Sequence, residues 1–394
     1  MTHLPAARPL SCALLTCVLN VLQCCVADKR KVIVMRVGIV GLPGSGKTTL
    51  FRALTRGTVK TDDYGSGKPH VGVVHVPDSR VDLIAAEFEP KKITYASIEF
   101  IDGAARIAQE DARARFGSDF FSDVRQVDAL VHVLRGFVSP TGDAPNPKGD
   151  AQTLDDELVL ADLGLVENRI ERLEKQLHGV KKGLSTPAAI EMALLERLKA
   201  LLEEGGSLKH AQFTHEEEKA IRGYDFLTLK PVVLVLNIPE GEIGTPSDAA
   251  RALGDYRDRS GLIGLDLCAK VEMEVAELAD EDEAEFLVSL GIEQPARNVL
   301  IRACNQALGL ISFITASEPE VRAWMLPAGS KAIDAAGAVH SDLARGFIRA
   351  EVANAVDVQA AGGWEAAKHK GVVQLQGKDY IVQDGDVIYI RFKV

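Results

Sequence analysis

Gly41, Gly46, Lys47 and Thr48 stand in the stretch VGIVGLPGSGKTTL at the spacing G-x-x-x-x-G-K-[ST], and the chemistry this spacing points to is a cradle for a polyphosphate. Glycines let the backbone curl until successive N–H groups face a β-phosphate, and a following helix adds partial positive charge at its N-terminus. Lys47 is expected to reach the β- and γ-phosphates and Thr48 to offer a hydroxyl to Mg²⁺. Gly44, Ser45 and Thr49 complete the candidate contacts of this loop. The bland alternative is a glycine-rich turn that merely packs. Local context argues against it: MRVGIV (Met35 to Val40) is a β-branched apolar run before the loop, and Leu50, Ala53 and Leu54 carry helical spacing after it.

A phosphate loop alone does not separate kinases, motors and switch NTPases, so the elements around it matter. ASIEFID alternates apolar and polar residues and ends in Asp102, a carboxylate placed to hold a water on Mg²⁺ and, with Lys47, the candidate catalytic pair. A solvated strand-end aspartate is the alternative. PVVLVLNIPE reads as a strand buried on both faces, followed by Asn237, Ile238 and Glu240. GLDLCAKVEMEVAEL supplies another short strand with Cys268 and Ala269 at its end. Strand ends of this kind gather on the ligand side of a doubly wound sheet.

The set GLPGSGKTT, PHVGVVHVPDSRVDLIA, IEFID, VDALVHVLRGF, LTLKPVVLVLNIPE and LCAKVEMEVAEL resembles the YchF or Obg-like ATPase family of translation-factor-class P-loop proteins. Near the C-terminus, EVRAWMLPAGSKAIDAAGAVHSDLARGFIRAEV and GKDYIVQDGDVIYIRFKV are similar to the end of that family, so the likeness runs from about Met35 to Val394. It implies an α/β architecture: a P-loop NTPase doubly wound sheet over residues 35–306, an inserted helical hairpin at about 153–222, and a C-terminal β-grasp (TGS) module over 307–394.

The base that such a site selects follows from Asn237-Ile238-Pro239-Glu240. GTPase relatives read guanine with Asn-Lys-x-Asp, whose aspartate accepts from two adjacent donors on the guanine edge. Adenine has no such pair. The family with Asn-x-x-Glu is similar in preferring ATP, with the residue at Ile238 against the base, so ATP is expected over GTP; Pro239 is unusual in the motif.

Three places depart from the family pattern. Gly44 and Ser45 replace Asn and Val in the phosphate loop, which leaves every phosphate-contacting requirement in place. Ser66 stands where the family has a metal-closing threonine and could ligate Mg²⁺ or be a plain loop serine. Ala105 occupies the position of the γ-phosphate-sensing glycine, at a steric cost if the turn needs positive φ, so binding is expected to survive while hydrolysis or switching is altered.

Leu163, Val166, Ile170, Leu173, Leu177, Val180 and Leu184, then Leu194, Leu198 and Leu201, recur at helical intervals on either side of GLSTPAA, as a helical hairpin requires. Arg169, Arg172, Lys175, Lys181 and Lys182 approach its tip among acids and read as a solvated face, with an RNA or protein contact as the sharper alternative. Farther on, Lys331, Arg345, Arg349, Lys368, Lys370 and Lys378 are candidate phosphate contacts, Trp324 and Phe347 are read as core, and Asp384-Gly385-Asp386 is expected to turn a β-hairpin.

The 394-residue chain carries a net charge of -11, so no global positive field draws it to nucleic acid or membrane, and an RNA contact needs a local basic patch. Neither a membrane nor DNA is expected as a partner. Four of six cysteines, Cys12, Cys17, Cys24 and Cys25, precede residue 26, which is not a disulfide framework. Residues 1–34 read as a doubtful extension or signal-like segment, with DKRK after the apolar core instead of before it. Together these readings give a cytoplasmic Mg²⁺-dependent P-loop NTPase that contacts the ribosome or its RNA through the hairpin and TGS module. The alternative is a nucleotide-binding regulator with GTP specificity or negligible hydrolysis.

Overall fold

Apolar runs of six or seven residues become the central strands of a parallel sheet, and amphipathic stretches between them become its covering helices. The computed structural model describes residues 35–59, 70–102, 118–178, 186–245, 247–257 and 262–393. Expectations for residues 1–34, Ser66, Ala105, Val180, Lys181, Lys182 and Leu184 lie outside them.

The chain opens with β1 (Met35–Val40), α1 (Lys47–Leu54), β2 (His70–His75), α2 (Ser79–Phe88), β3 (Ile93–Thr94) and β4 (Ser97–Asp102). It continues through α3 (Ser118–Arg125), β5 (Ala129–Arg135), the long α4 (Pro147–Leu177), α5 (Pro187–Glu203) and α6 (His215–Ile221). Next come β6 (Val232–Asn237), α7 (Asp248–Arg257), β7 (Leu262–Leu267), α8 (Ala269–Ala276), α9 (Asp280–Ser289) and α10 (Ala296–Ala307). The remainder is β8 (Leu310–Ala316), β9 (Val321–Pro327), α11 (Ala332–Val339), α12 (Ser341–Arg345), β10 (Phe347–Asn354), α13 (Ala355–Ala361), α14 (Trp364–His369), β11 (Gln374–Gln376) and β12 (Asp386–Phe392).

These elements form two compact units, one running to Pro77 and resuming over Ser97–Ala307, the other made of Asp78–Ala96 and the chain from Leu308 onward. In the first, the strand order is β2-β4-β1-β5-β6-β7, parallel throughout except for β2. Helices α3, α4 and α7 pack through Phe120, Val124, Leu154, Leu158 and Leu253 onto Leu130, Leu134, Leu234 and Leu236. Helices α4 and α5 pair beyond the sheet through Val166, Leu173, Leu194 and Leu198, with Thr186 capping α5 at the Ala189 N–H. The doubly wound sheet and inserted hairpin are therefore present. Among the described residues no helix is long and apolar enough to cross a membrane.

The second unit has the mixed sheet β11-β10-β12-β8-β9-β3. Its last strand comes from far upstream: Ile93 and Thr94 pair in parallel with Val321 and Arg322. Trp324 stacks on Phe313 in the core, with Phe347 packed against the same cluster, as expected for both rings. The expected hairpin at Asp384-Gly385-Asp386 is not formed. A tight turn is there, with Gly385 at φ +83, but β12 pairs with β10 and β8, and the run before the turn makes only a bridge from Ile381 to Lys331. Turn chemistry marked the bend correctly; tertiary partners decided the pairing.

Candidate functional site

Four segments meet at the C-terminal ends of the parallel strands: the loop after β1, Asp102 at the end of β4, Asn237 at the end of β6, and Cys268-Ala269 after β7. The loop owes its path to three glycines with positive φ, Gly41 at +145°, Gly44 at +75° and Gly46 at +94°. A Cβ on Gly41 would lie 2.3 Å from the Val133 carbonyl oxygen, and one on Gly46 would lie 2.2 Å from Asn237 Nδ2. Gly44 faces open space. Of the three, Gly41 and Gly46 are required by close approach as well as by torsion.

This path leaves donors in hand. Among the described residues no acceptor meets the N–H groups of Gly46, Lys47 or Thr48, while Ser45 N–H donates to the Leu42 carbonyl at 3.3 Å. The Ser45 hydroxyl is buried there without a partner among the described residues. Unspent donors at the start of α1 make the electrostatic environment of an anion site. Lys47 folds over the loop and donates from Nζ to the Leu42 carbonyl at 2.8 Å. Burial pushes its pKa down to about 8, with the Asp102 carboxylate acting in the opposite direction.

Thr48 Oγ1 donates to Asp102 Oδ2 at 3.1 Å, and Asp102 has no solvent exposure. A hydroxyl and a carboxylate oxygen side by side beneath a phosphate cradle are the hard-oxygen donors that Mg²⁺ takes, so this pair suits the ion. Thr49, one residue on, is half-buried.

Asn237 is the keystone between loops. Its amide donates from Nδ2 to the Ser45 carbonyl at 2.9 Å, and its Oδ1 accepts from the Ala269 N–H at 2.9 Å. The phosphate loop, β6 and the N-terminus of α8 are thereby fixed to one another. Ile238 is buried against Leu134, Leu236 and Ala249. Glu240 is exposed and its carboxylate lies 3.6 Å from Lys270 Nζ. Cys268 is buried as the residue preceding α8.

Two features were not singled out from the sequence. His132 on β5 is 1% exposed, its Nε2 has no partner among the described residues, and burial together with the charge of Lys47 pushes its pKa down to about 3. A histidine inside the otherwise apolar ALVHVLR was the available signal. Gly136 is the other: its N–H donates to the Asn237 carbonyl at 2.9 Å, where a Cβ would also lie 2.9 Å from that oxygen.

A parallel doubly wound sheet, a glycine-built loop with unspent amides and a buried lysine, and a threonine–aspartate pair beneath it define a P-loop nucleotide hydrolase. Comparison with known proteins narrows the class. Residues 36–168 match the family described as 50S ribosome-binding GTPase, and residues 310–393 match the C-terminal family of YchF GTPases, described as a protein of unknown function. The chain is 39% identical over 368 residues to the ribosome-binding ATPase YchF of Bacillus subtilis (strain 168), covering 91% of this chain and 100% of that protein. It is 37% identical over 367 residues to the protein of the same name from Escherichia coli O157:H7, with 91% and 99% covered. The solved YchF GTPase of Schizosaccharomyces pombe superposes with a TM-score of 0.78 at 26% identity, over 92% of this chain and 99% of that one. The chain belongs to the YchF family.

Proposed function

We propose that this chain binds ATP in preference to GTP together with Mg²⁺, hydrolyses it, and acts in the cytoplasm as a ribosome-associated regulator whose nucleotide state controls docking. The observation that carries the reading is the set of unspent N–H groups at Gly46, Lys47 and Thr48 beside the buried Lys47 ammonium. Loop N–H groups around the β-phosphate, with the Lys47 ammonium reaching the γ-phosphate, stabilise the charge that shifts among the phosphate oxygens during in-line attack by water. Thr48 and Asp102 would hold Mg²⁺, which supplies charge neutralisation on the phosphate oxygens when bound.

The preference for adenine is supported by Glu240. Its carboxylate engages Lys270 across 3.6 Å, where a guanine reader would keep an aspartate for two base-edge donors. Ile238 would lend an apolar wall beside the base, and Cys268 and Ala269 the backbone beyond it. Docking to the ribosome is supported by the ribosome-binding relatives in Bacillus subtilis and Escherichia coli. We assign it to the helical hairpin and to a TGS-like module in the C-terminal unit.

The hairpin's cations are partly spent: among the described residues Arg169 pairs with Glu191 and Lys175 with Glu171, while Arg172 is exposed. A second reading, tight nucleotide binding with negligible turnover, is favoured by Ala105 in place of a glycine. Calorimetric titration with ATP and GTP, then single-turnover hydrolysis with and without ribosomes, separates the readings. The first expects tighter ATP binding and a rate that Lys47→Ala abolishes. Equal or guanine-favouring affinity overturns the base assignment, and binding with no turnover in either setting establishes the second reading.

A further inference from the structure

Helices α1 and α8 lie against each other, and both start at the candidate site, α1 at the phosphate loop and α8 at Cys268-Ala269. Asn237 joins their starts through the Ser45 carbonyl and the Ala269 N–H. A second polar connection joins the same two helices away from the phosphate cradle. Arg56, just past the end of α1, donates from Nη2 to Glu283 Oε2 on α9 at 2.6 Å. The other carboxylate oxygen of Glu283 accepts from Arg297 in the first turn of α10. The backbone N–H groups of Ala296 and Arg297 in turn donate to Glu272, one turn into α8, at 2.8 and 3.0 Å. The circuit from Ser45 through Asn237, α8, α10 and Glu283 thus returns to α1 at Arg56.

Glu272, Glu283 and Arg297 are all more than nine-tenths buried. A buried ion pair resists displacement, because moving one partner leaves the other as an uncompensated charge. Arg56 is the open member, with 44% of its side chain exposed, and it holds a left-handed φ of +48°. A residue with a Cβ adopts that conformation at a steric cost, and strain of this kind persists where surrounding contacts fix it. The contact that fixes Arg56 here is the one to Glu283.

We propose that Arg56 is a positioning residue for nucleotide binding: through Glu283 it holds α1 in place relative to α8, and so sets the separation between the phosphate cradle and the wall beside the base. The inference rests on the reading that puts the base beside Ile238 and Cys268-Ala269. Helix α1 is a lever about 12 Å long, pinned near its start by the Asn237 bridge and at its far end by Arg56. A bare polyphosphate engages the loop that α1 carries, whereas a nucleotide must also reach the start of α8. Loosening the far pin therefore costs nucleotide affinity and spares polyphosphate affinity. A pair that merely stapled the fold would serve both ligands alike.

Calorimetric titration of the full chain with Mg-ATP and with Mg-tripolyphosphate tests this. Arg56→Met removes the charge and leaves Glu283 its partner in Arg297, so the buried pair survives. ATP affinity is expected to fall about three- to tenfold, within the range by which residues touching neither ligand alter coupling between sites, while tripolyphosphate affinity stays at the wild-type value. Arg56→Lys, which keeps the charge, is expected to recover most of the loss. Glu283→Asp keeps a carboxylate for Arg297 but shortens the reach to Arg56, and is expected to give the same loss for ATP alone. Equal losses for the two ligands, or no loss for either, overturn the positioning role and leave the base wall standing, provided that the wild type binds ATP more tightly than tripolyphosphate. Equal wild-type affinity for the two ligands removes the base wall itself, and the positioning role falls with it.

Discussion

Gly46 and Gly44 both hold positive φ in one loop, yet they do different work. A Cβ on Gly46 would meet Asn237 Nδ2 at 2.2 Å, whereas one on Gly44 would meet nothing within 4 Å. Gly44→Ala therefore adds only torsional strain, roughly 1 kcal/mol. Gly46→Ala adds the same strain and displaces the amide that joins the Ser45 carbonyl to the Ala269 N–H. Calorimetry is expected to show ATP affinity falling at least about tenfold for Gly46→Ala, the equivalent of 1.4 kcal/mol, and clearly less for Gly44→Ala. Equal losses would mean that the Asn237 bridge does not shape the loop. Asn237→Ala leaves the buried Ser45 carbonyl and Ala269 N–H without partners and is expected to cost about 1–3 kcal/mol of stability, read by urea denaturation. The spacing of Gly41, Gly46 and Lys47 made the loop legible in the sequence, because torsional demand acts locally. The two bonds of Asn237 were not legible, since they join positions that are 192 and 32 residues apart.

At the scale of elements, the segment Asp78–Ala96 separates β2 from β4 in the chain but belongs to the C-terminal unit. Hydrophobic pattern alone could not reveal this, because Val81, Ile84 and Ala85 make an ordinary amphipathic stripe whatever they pack on. Polar contacts tie the segment in. Asp78 caps α2, accepts from Ser312 Oγ at 2.8 Å, and pairs with Arg80, which reaches Asp384 at 2.7 Å. Glu87 accepts from the N–H of Trp364 at 3.0 Å, at the start of α14. The carboxyl of Asp78 is held below its ordinary 3.8 against an opposing burial cost, by hydrogen bonds from Arg80 and Ser312 and by the Arg80 charge. A carboxyl with a depressed folded pKa stabilises fully above its unfolded value and loses that contribution as pH falls below it. Acid titration of the C-terminal unit should therefore show stability dropping below about pH 4, and Asp78→Asn should be less stable at pH 7 while losing less over the same acid range. A parallel loss in wild type and variant would assign the acid sensitivity to other carboxyls. A fragment of residues 308–393 alone lacks α2 and β3, and is expected to melt without a cooperative transition.

For the molecule as a whole, the division into two units decides how nucleotide binding appears in a melt. All contacts proposed for ATP, from Gly41 through Asn237 to Ala269, fall in the unit that excludes Asp78–Ala96 and the chain after Ala307. A ligand that binds only the folded form stabilises by RT ln(1 + [L]/Kd), about 2.7 kcal/mol at a hundredfold excess over Kd. For a unit of this size that corresponds to a shift of roughly 5–10 °C, and it should appear only in the transition of the nucleotide unit. Lys47→Ala should remove the shift while leaving the ATP-free melt nearly in place, because the burial that pushes Lys47 to about 8 opposes its charge in the folded protein. Scanning calorimetry with and without Mg-ATP provides the measurement. If both transitions rise together in the wild type, the units unfold as one body and nucleotide affinity is linked to the whole chain; if neither moves, the cradle between Gly41 and Thr48 does not hold ATP.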